Sequence, residues 1–210
     1  MTHTAEQSTI TAERYKTGKS FQEYLDSGIR NRELFEFNYK GLAISPEQDA
    51  RLKALAAADG GPDHVAVIGE DWCPDVYRGA GVAARIAEAM GIEYRYFERD
   101  QNKDLIQGYL NNGEFESIPV FVFFDKDHHE LGHFIERPKL ANEQIHLSRT
   151  AIGDTSPEAI AKHYGHEPSE DEIKEFRAAA RDRYLDWQRT SPEWAGWRVA
   201  TVDEVIGILS

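Results

Sequence analysis

Sulfur is scarce in this chain, with one cysteine and two methionines among 210 residues. A lone thiol closes no internal disulfide, so a buried core must hold the fold together. The length is ample for that, as one domain with elaborations or at most two. Basic charge is also short: 24 lysines and arginines face 37 aspartates and glutamates, a formal net charge of −13. An averaged field of that sign repels phosphate backbones and anionic membranes, so neither nucleic acid nor a membrane is expected as a partner. No apolar run approaches the ~20 residues that a membrane span requires. The opening Met1-Thr2-His3-Thr4-Ala5-Glu6-Gln7 lacks the basic and apolar regions of a signal peptide, and a reducing cytoplasm is the expected compartment.

With no internal repeat to impose a period, caps and breakers organise the chain. Residues 1–18 are polar and are expected to fray. Phe21, Tyr24 and Leu25, then Leu34, Phe35 and Asn38, predict two short amphipathic helices parted near Ser27-Gly28. Ser45-Pro46-Glu47-Gln48 is a capping box with proline at the first helical position, and Gly60-Gly61-Pro62 ends the helix it opens. The middle of the chain alternates. His64 to Ile68 predicts a short buried strand, Val82 to Met90 a helix closed by Gly91, and Ile92 to Phe97 a second strand. Residues 101–110 predict a further helix. Pro119 to Phe124 is the strongest strand, and a polar turn from Asp125 to His128 returns it into Leu131 to Ile135 as an antiparallel neighbour. A helix follows Pro138. Strand–helix–strand–helix order implies parallel pairing, and the whole reads βαβαββα. From about 154 onward the chain is helical again. Ser169-Glu170-Asp171-Glu172 opens a long helix, and Thr201-Val202-Asp203-Glu204 predicts a separate short terminal one. Domain boundaries are therefore expected at 19–61, 62–150 and 151–210, with the last segment packed on the core. Trp187, Trp194 and Trp197 read as part of that packing.

The only thiol lies in Val67-Ile68-Gly69-Glu70-Asp71-Trp72-Cys73-Pro74-Asp75-Val76, where a strand ends and a helix begins. At a helix N-terminus, unpaired N–H groups and the positive dipole end favour thiolate, the nucleophilic form. Glu70, Asp71 and Asp75 are candidate modulators that oppose a second negative charge. The alternative to a reactive thiol is a small buried hydrophobe.

Trp72-Cys73-Pro74-Asp75-Val76, Ser117-Ile118-Pro119-Val120 and the strand–helix order together resemble the thioredoxin family over about 62–150. The helical additions at both ends, with Glu70-Asp71-Trp72-Cys73 and Tyr109-Leu110-Asn111-Asn112-Gly113, look like a bacterial branch of it. The resemblance implies an α/β thioredoxin-like fold with a mixed central sheet. It implies that Cys73 is the attacking thiol, and that Trp72, Pro74, Ile118 and a cis-Pro119 line the substrate groove, where the backbone of Ile118 is free to pair with an extended segment. Val76 occupies the place of the resolving cysteine, so dithiol exchange is unavailable. What remains is a monothiol redox protein, whose mixed disulfide with a protein or small thiol is released by an external thiol. The alternative is a redox-inactive binding module on the same fold. No cofactor or metal is expected, and Arg137 is a candidate attractor of an anionic thiol such as glutathione.

His129-Glu130-Leu131-Gly132-His133 matches the zinc-protease pattern H-E-x-x-H letter for letter. That chemistry needs a helix, where residues four apart lie about 6 Å from each other on one face. This segment follows a β-run and a turn. On a strand the same residues stand roughly 13 Å apart, too far to share one ion, so a zinc hydrolase is the remote reading.

Overall fold

The computed structural model describes residues 9–210. Four strands form one sheet in the order β2-β1-β3-β4, with β1 (His64–Gly69), β2 (Glu93–Glu98), β3 (Val120–Phe124) and β4 (Glu130–Ile135). β1 and β2 are parallel, while β3 is antiparallel to both β1 and β4. The two central strands are buried at every position, which is why they read as continuous apolar runs rather than alternating ones.

Two capping boxes, at Ser20 and Ser45, start α2 (Phe21–Asp26) and α4 (Pro46–Ala57). Between them lies α3 (Arg32–Lys40), after the short α1 (Ala12–Tyr15). α5 (Pro74–Met90) is the crossover between β1 and β2; Cys73 is its N-cap, and Gly91 closes it in the left-handed conformation at φ 73°. Its small residues let other elements come close. A methyl group on Gly81 would lie 2.8 Å from the Tyr39 nitrogen, and one on Gly79 would lie 2.7 Å from Pro119 Cγ. After β4 come α7 (Lys139–Ile152), α8 (Pro157–Tyr164), α9 (Glu170–Thr190) and α10 (Pro192–Ile208).

The described chain divides into two compact units, one of residues 9–138 with 198–210, the other of 139–197. In the first, the sheet, α5 and the N-terminal helices form the core. The end of α10 belongs to it as well: Arg198 donates to the Asn38 side chain (3.1 Å) and Gln48 to Asp203 (2.7 Å). In the second unit, Tyr184, Trp187, Trp194 and Trp197 make a continuous aromatic cluster, with Trp197 Nε1 donating to Gln144 (2.8 Å).

Four sequence expectations are corrected. Residues 9–18 do not fray: Ile10 is fully buried, and the Tyr15 hydroxyl donates to the backbone oxygens of Val65 and Glu93. Residues 1–8 lie outside the described part. The helix expected over 101–110 is broken into α6 (Lys103–Ile106) between two 3-10 turns, because Asn102 and Gly108 interrupt it. No helix begins at Thr201; α10 runs through it, and Thr201 is buried within the helix rather than capping one. Finally, α7 falls in the second unit and residues 198–210 in the first. The expected boundary at 150/151 missed this because amphipathic periodicity does not say which neighbour a helix packs against.

Candidate functional site

The C-terminal end of β1 and the first turn of α5 place Cys73. Its carbonyl accepts from Val76 and Tyr77 N–H (3.0 and 3.1 Å), closing the first turn, while Pro74 needs no partner at the first helical position. Across from the thiol, the chain entering β3 carries a cis peptide bond between Ile118 and Pro119. Cys73 Sγ lies 3.9 Å from the Ile118 carbonyl oxygen, although the two are 45 residues apart. Pro119 is buried against Gly79 of α5, and its carbonyl accepts from Glu136 N–H (2.7 Å). Ile118 is buried, and its own N–H has no hydrogen bond among the described residues.

Trp72 stands beside this junction with 48% of its surface exposed. The Arg99 guanidinium sits 5.4 Å above its ring, a cation–π contact that orients an otherwise free indole. Val76 is fully buried, packed toward Gly69 on β1, so no polar group replaces the missing second sulfur.

The three acids of the segment differ. Asp75 is held by two arginines, Nη2 of Arg78 at 2.8 Å and Nη2 of Arg137 at 3.1 Å. Arg78 is almost wholly buried at 1% exposure, so this carboxylate also answers a buried cation. Asp71 turns away, accepting Arg30 N–H at 2.6 Å and, through its carbonyl, the Asn31 side chain at 3.0 Å. Glu70 accepts Asp100 N–H at 2.7 Å, and burial raises its pKa above the ordinary carboxylate value.

The thiol itself is pushed up from its ordinary pKa. Burial is the largest cause and the Asp75 carboxylate the second; the N–H groups of Val76 and Asp75 and the charge of Arg78 offset them only in part. The helix N-terminus thus loses to desolvation and a neighbouring anion. Arg137, expected to attract an anionic thiol, already pairs with Asp75 and Glu136. Arg78 could have been found from its i, i+3 spacing to Asp75; Arg30 and Arg99 reach the site from distant segments and carry no local signal.

The H-E-x-x-H residues do not converge. Glu130 and His133 belong to β4, and His129 precedes it. His129 Nδ1 meets Asp125 (3.0 Å), whereas His133 Nδ1 meets Glu130 (2.8 Å), whose other oxygen accepts from the Tyr109 hydroxyl (2.9 Å). Among the described residues, the potential metal-ligand group is Asp125, Asp127 and His129, which leaves His133 out.

A family model described as thioredoxin matches residues 18–151, well over half of the chain. The chain belongs to the thioredoxin family. No curated protein matches it. Two solved structures are similar in fold. A crystallised HIV epitope-scaffold of the 4E10 series is 18% identical with a TM-score of 0.57, covering 94% of this chain and 96% of its own. A protein of unknown function from Pseudomonas aeruginosa is 17% identical with a TM-score of 0.53, covering 84% and 96%. Among the described residues, no helix is long and apolar enough to cross a membrane.

Proposed function

We propose that this thioredoxin-family chain is a binding module: its groove, formed by Trp72, Cys73, Pro74 and Ile118–Pro119, receives an extended segment of a partner protein, and its single thiol rests protonated at neutral pH. The observation that carries this is the environment of Cys73. Supporting such a groove are Sγ against the Ile118 carbonyl, an Ile118 N–H with no hydrogen bond among the described residues, and an exposed indole beside them. Yet burial and Asp75 disfavour the thiolate that exchange chemistry requires. Buried Val76 supplies nothing that would resolve a mixed disulfide. The groove needs no cofactor to bind.

A second reading, the monothiol redox protein, is favoured by one feature: Cys73 is not sealed off, being only partly buried. A partner or small thiol that reaches it can form a mixed disulfide, which an external thiol then releases.

Alkylation of Cys73 by iodoacetamide across pH separates the two. The binding module predicts a rate midpoint above the ~8.5 of a free cysteine, and neutral-pH alkylation slower than that of an unstructured cysteine peptide. Asp75→Asn should lower the midpoint and speed alkylation at pH 7 several-fold. A wild-type midpoint well below ~8.5 would discard the module in favour of redox chemistry.

A further inference from the structure

The loop between α2 and α3 reaches the thiol site, and the two arginines around its end are treated differently. Its backbone is tied to Asp71, two residues before the thiol: Arg30 N–H donates to the Asp71 carboxylate (2.6 Å), and the Asn31 side chain donates to the Asp71 carbonyl (3.0 Å). Asn31 sits in the left-handed region at φ 56°, which asparagine tolerates better than most residues. Arg32 is folded back onto its own helices, donating to the Leu25 carbonyl and pairing with Asp26 and Glu36. Arg30 is exposed, and its guanidinium has no ion pair or hydrogen bond among the described residues.

The neighbouring cations are already engaged. Arg78 and Arg137 bridge Asp75. Arg99 pairs with Asp100 (2.7 Å) while it covers the Trp72 ring, and Lys103 pairs with Glu116 (2.7 Å). The acids are engaged in turn: Asp75, Asp100 and Glu116 by those cations, Asp71 and Glu70 by the N–H groups of Arg30 and Asp100. Arg30 is left without an acid in a chain that has 37 of them against 24 lysines and arginines. Its guanidinium is a planar fork of N–H donors, and a carboxylate fills such a fork with two parallel hydrogen bonds.

We propose that Arg30 is a specificity-determining residue of the groove: it receives the carboxylate of an acidic side chain on the extended segment that docks at Trp72, Cys73 and Ile118–Pro119. This rests on the proposed groove and names the kind of segment it takes. The complementarity is local. A formal net charge of −13 gives an acid no long-range attraction, and fields from exposed charges are screened beyond about 8 Å at physiological salt, so the preference is decided on contact. The two bonds to Asp71 serve that contact. They fix where the Arg30 side chain begins, at the residue before Trp72, so less freedom is lost when the fork closes on a carboxylate. Since Arg30 is anchored through its main chain, replacing its side chain leaves the loop in place.

Activated peptides test this on the full chain. Short Gly-X-Cys-Gly peptides, their sulfur carrying a thiopyridyl group and X being Glu, Gln or Lys, are mixed with the protein, and a second set places X after the cysteine. The Cys73 thiolate bonds to the peptide sulfur, and pyridinethione leaves with the electron pair of the broken S–S bond, which absorbance follows. Rates compared at one pH share the same thiolate fraction, so their ratio is independent of the iodoacetamide midpoint. A low midpoint discards the protonated module and leaves the ratio untouched, whereas a flat ratio discards the role of Arg30 alone. In at least one set the Glu peptide should react about threefold faster than the Gln peptide at ~0.15 M salt, with the Lys peptide slowest. Arg30→Gln should bring the Glu and Gln rates together. Lys53→Gln, on α4 beside Glu88 near the far end of α5, removes the same charge and should leave the wild-type ratio. Equal Glu and Gln rates for the wild type in both sets, a preference that survives Arg30→Gln, or an equal loss in Lys53→Gln overturns the proposal.

Discussion

Two short patterns in this chain each name a chemistry, and the backbone beneath them treats them oppositely. Trp72-Cys73-Pro74 lies where a strand hands over to a helix, a point the fold fixes to within a turn, and the partner it needs, Ile118–Pro119, is brought to 3.9 Å by a different strand. His129-Glu130-Leu131-Gly132-His133 lies in and beside an edge strand, where its histidines point to separate acids, Asp125 and Glu130. A motif is a statement about side-chain directions, and those directions belong to the secondary structure. The first pattern is read on the backbone it requires; the second is a coincidence of letters on the wrong one.

If the fold alone fixes the thiol site, the close approach of α5 to Pro119 should be its weakest point. Gly79→Ala places a methyl group 2.7 Å from Pro119 Cγ and 3.1 Å from Phe121 Cζ, so either the proline or the helix must yield. We expect a stability loss of about 1–3 kcal/mol in urea unfolding, with Cys73 alkylation altered at the same time. A variant with wild-type stability and reactivity would mean that the helix does not hold the proline in place.

A gentler change sharpens the same side of the comparison. Val76→Cys puts a second sulfur three residues after the first on one helix face, at a cost of roughly 1 kcal/mol for lost packing at a fully buried site. Reduction of insulin should then rise at least about tenfold above the wild type, since the mixed disulfide can now be resolved within the chain. A folded variant with both thiols free and no gain would show that the two positions do not face each other as the first turn of α5 implies.

How much of this was legible beforehand follows physical lines. β1, β3, the caps at Ser45, Ser169 and Gly91, and the meeting of Cys73 with Ile118–Pro119 were readable, the first group because burial and capping are local and the last through family resemblance. The balance at the thiol was not. Helix N-terminus and nearby acids pull in opposite directions, and only the burial of Cys73 and the bridging of Asp75 by Arg78 and Arg137 decide between them. The ordering of residues 9–18 was hidden as well. It depends on Ile10 and Tyr15 meeting His128 and Glu93, more than 70 residues away, and the polar composition around those two residues gave no hint of it.

The smallest effect concerns the other pattern. His129 and His133 are 70% and 42% exposed at their side chains, and each ring nitrogen meets one carboxylate in a surface contact of the kind that contributes little in water. Changing either to alanine should move the unfolding midpoint by less than the equivalent of about 0.5 kcal/mol, and the protein purified with and without each substitution should bind zinc alike. Since strand geometry keeps the two rings from sharing an ion, the double variant should equal the sum of the singles. A stoichiometric zinc lost when either one is changed would show that the edge strand can rearrange into a shared site, and the contrast drawn between the two motifs would fail at its simpler end.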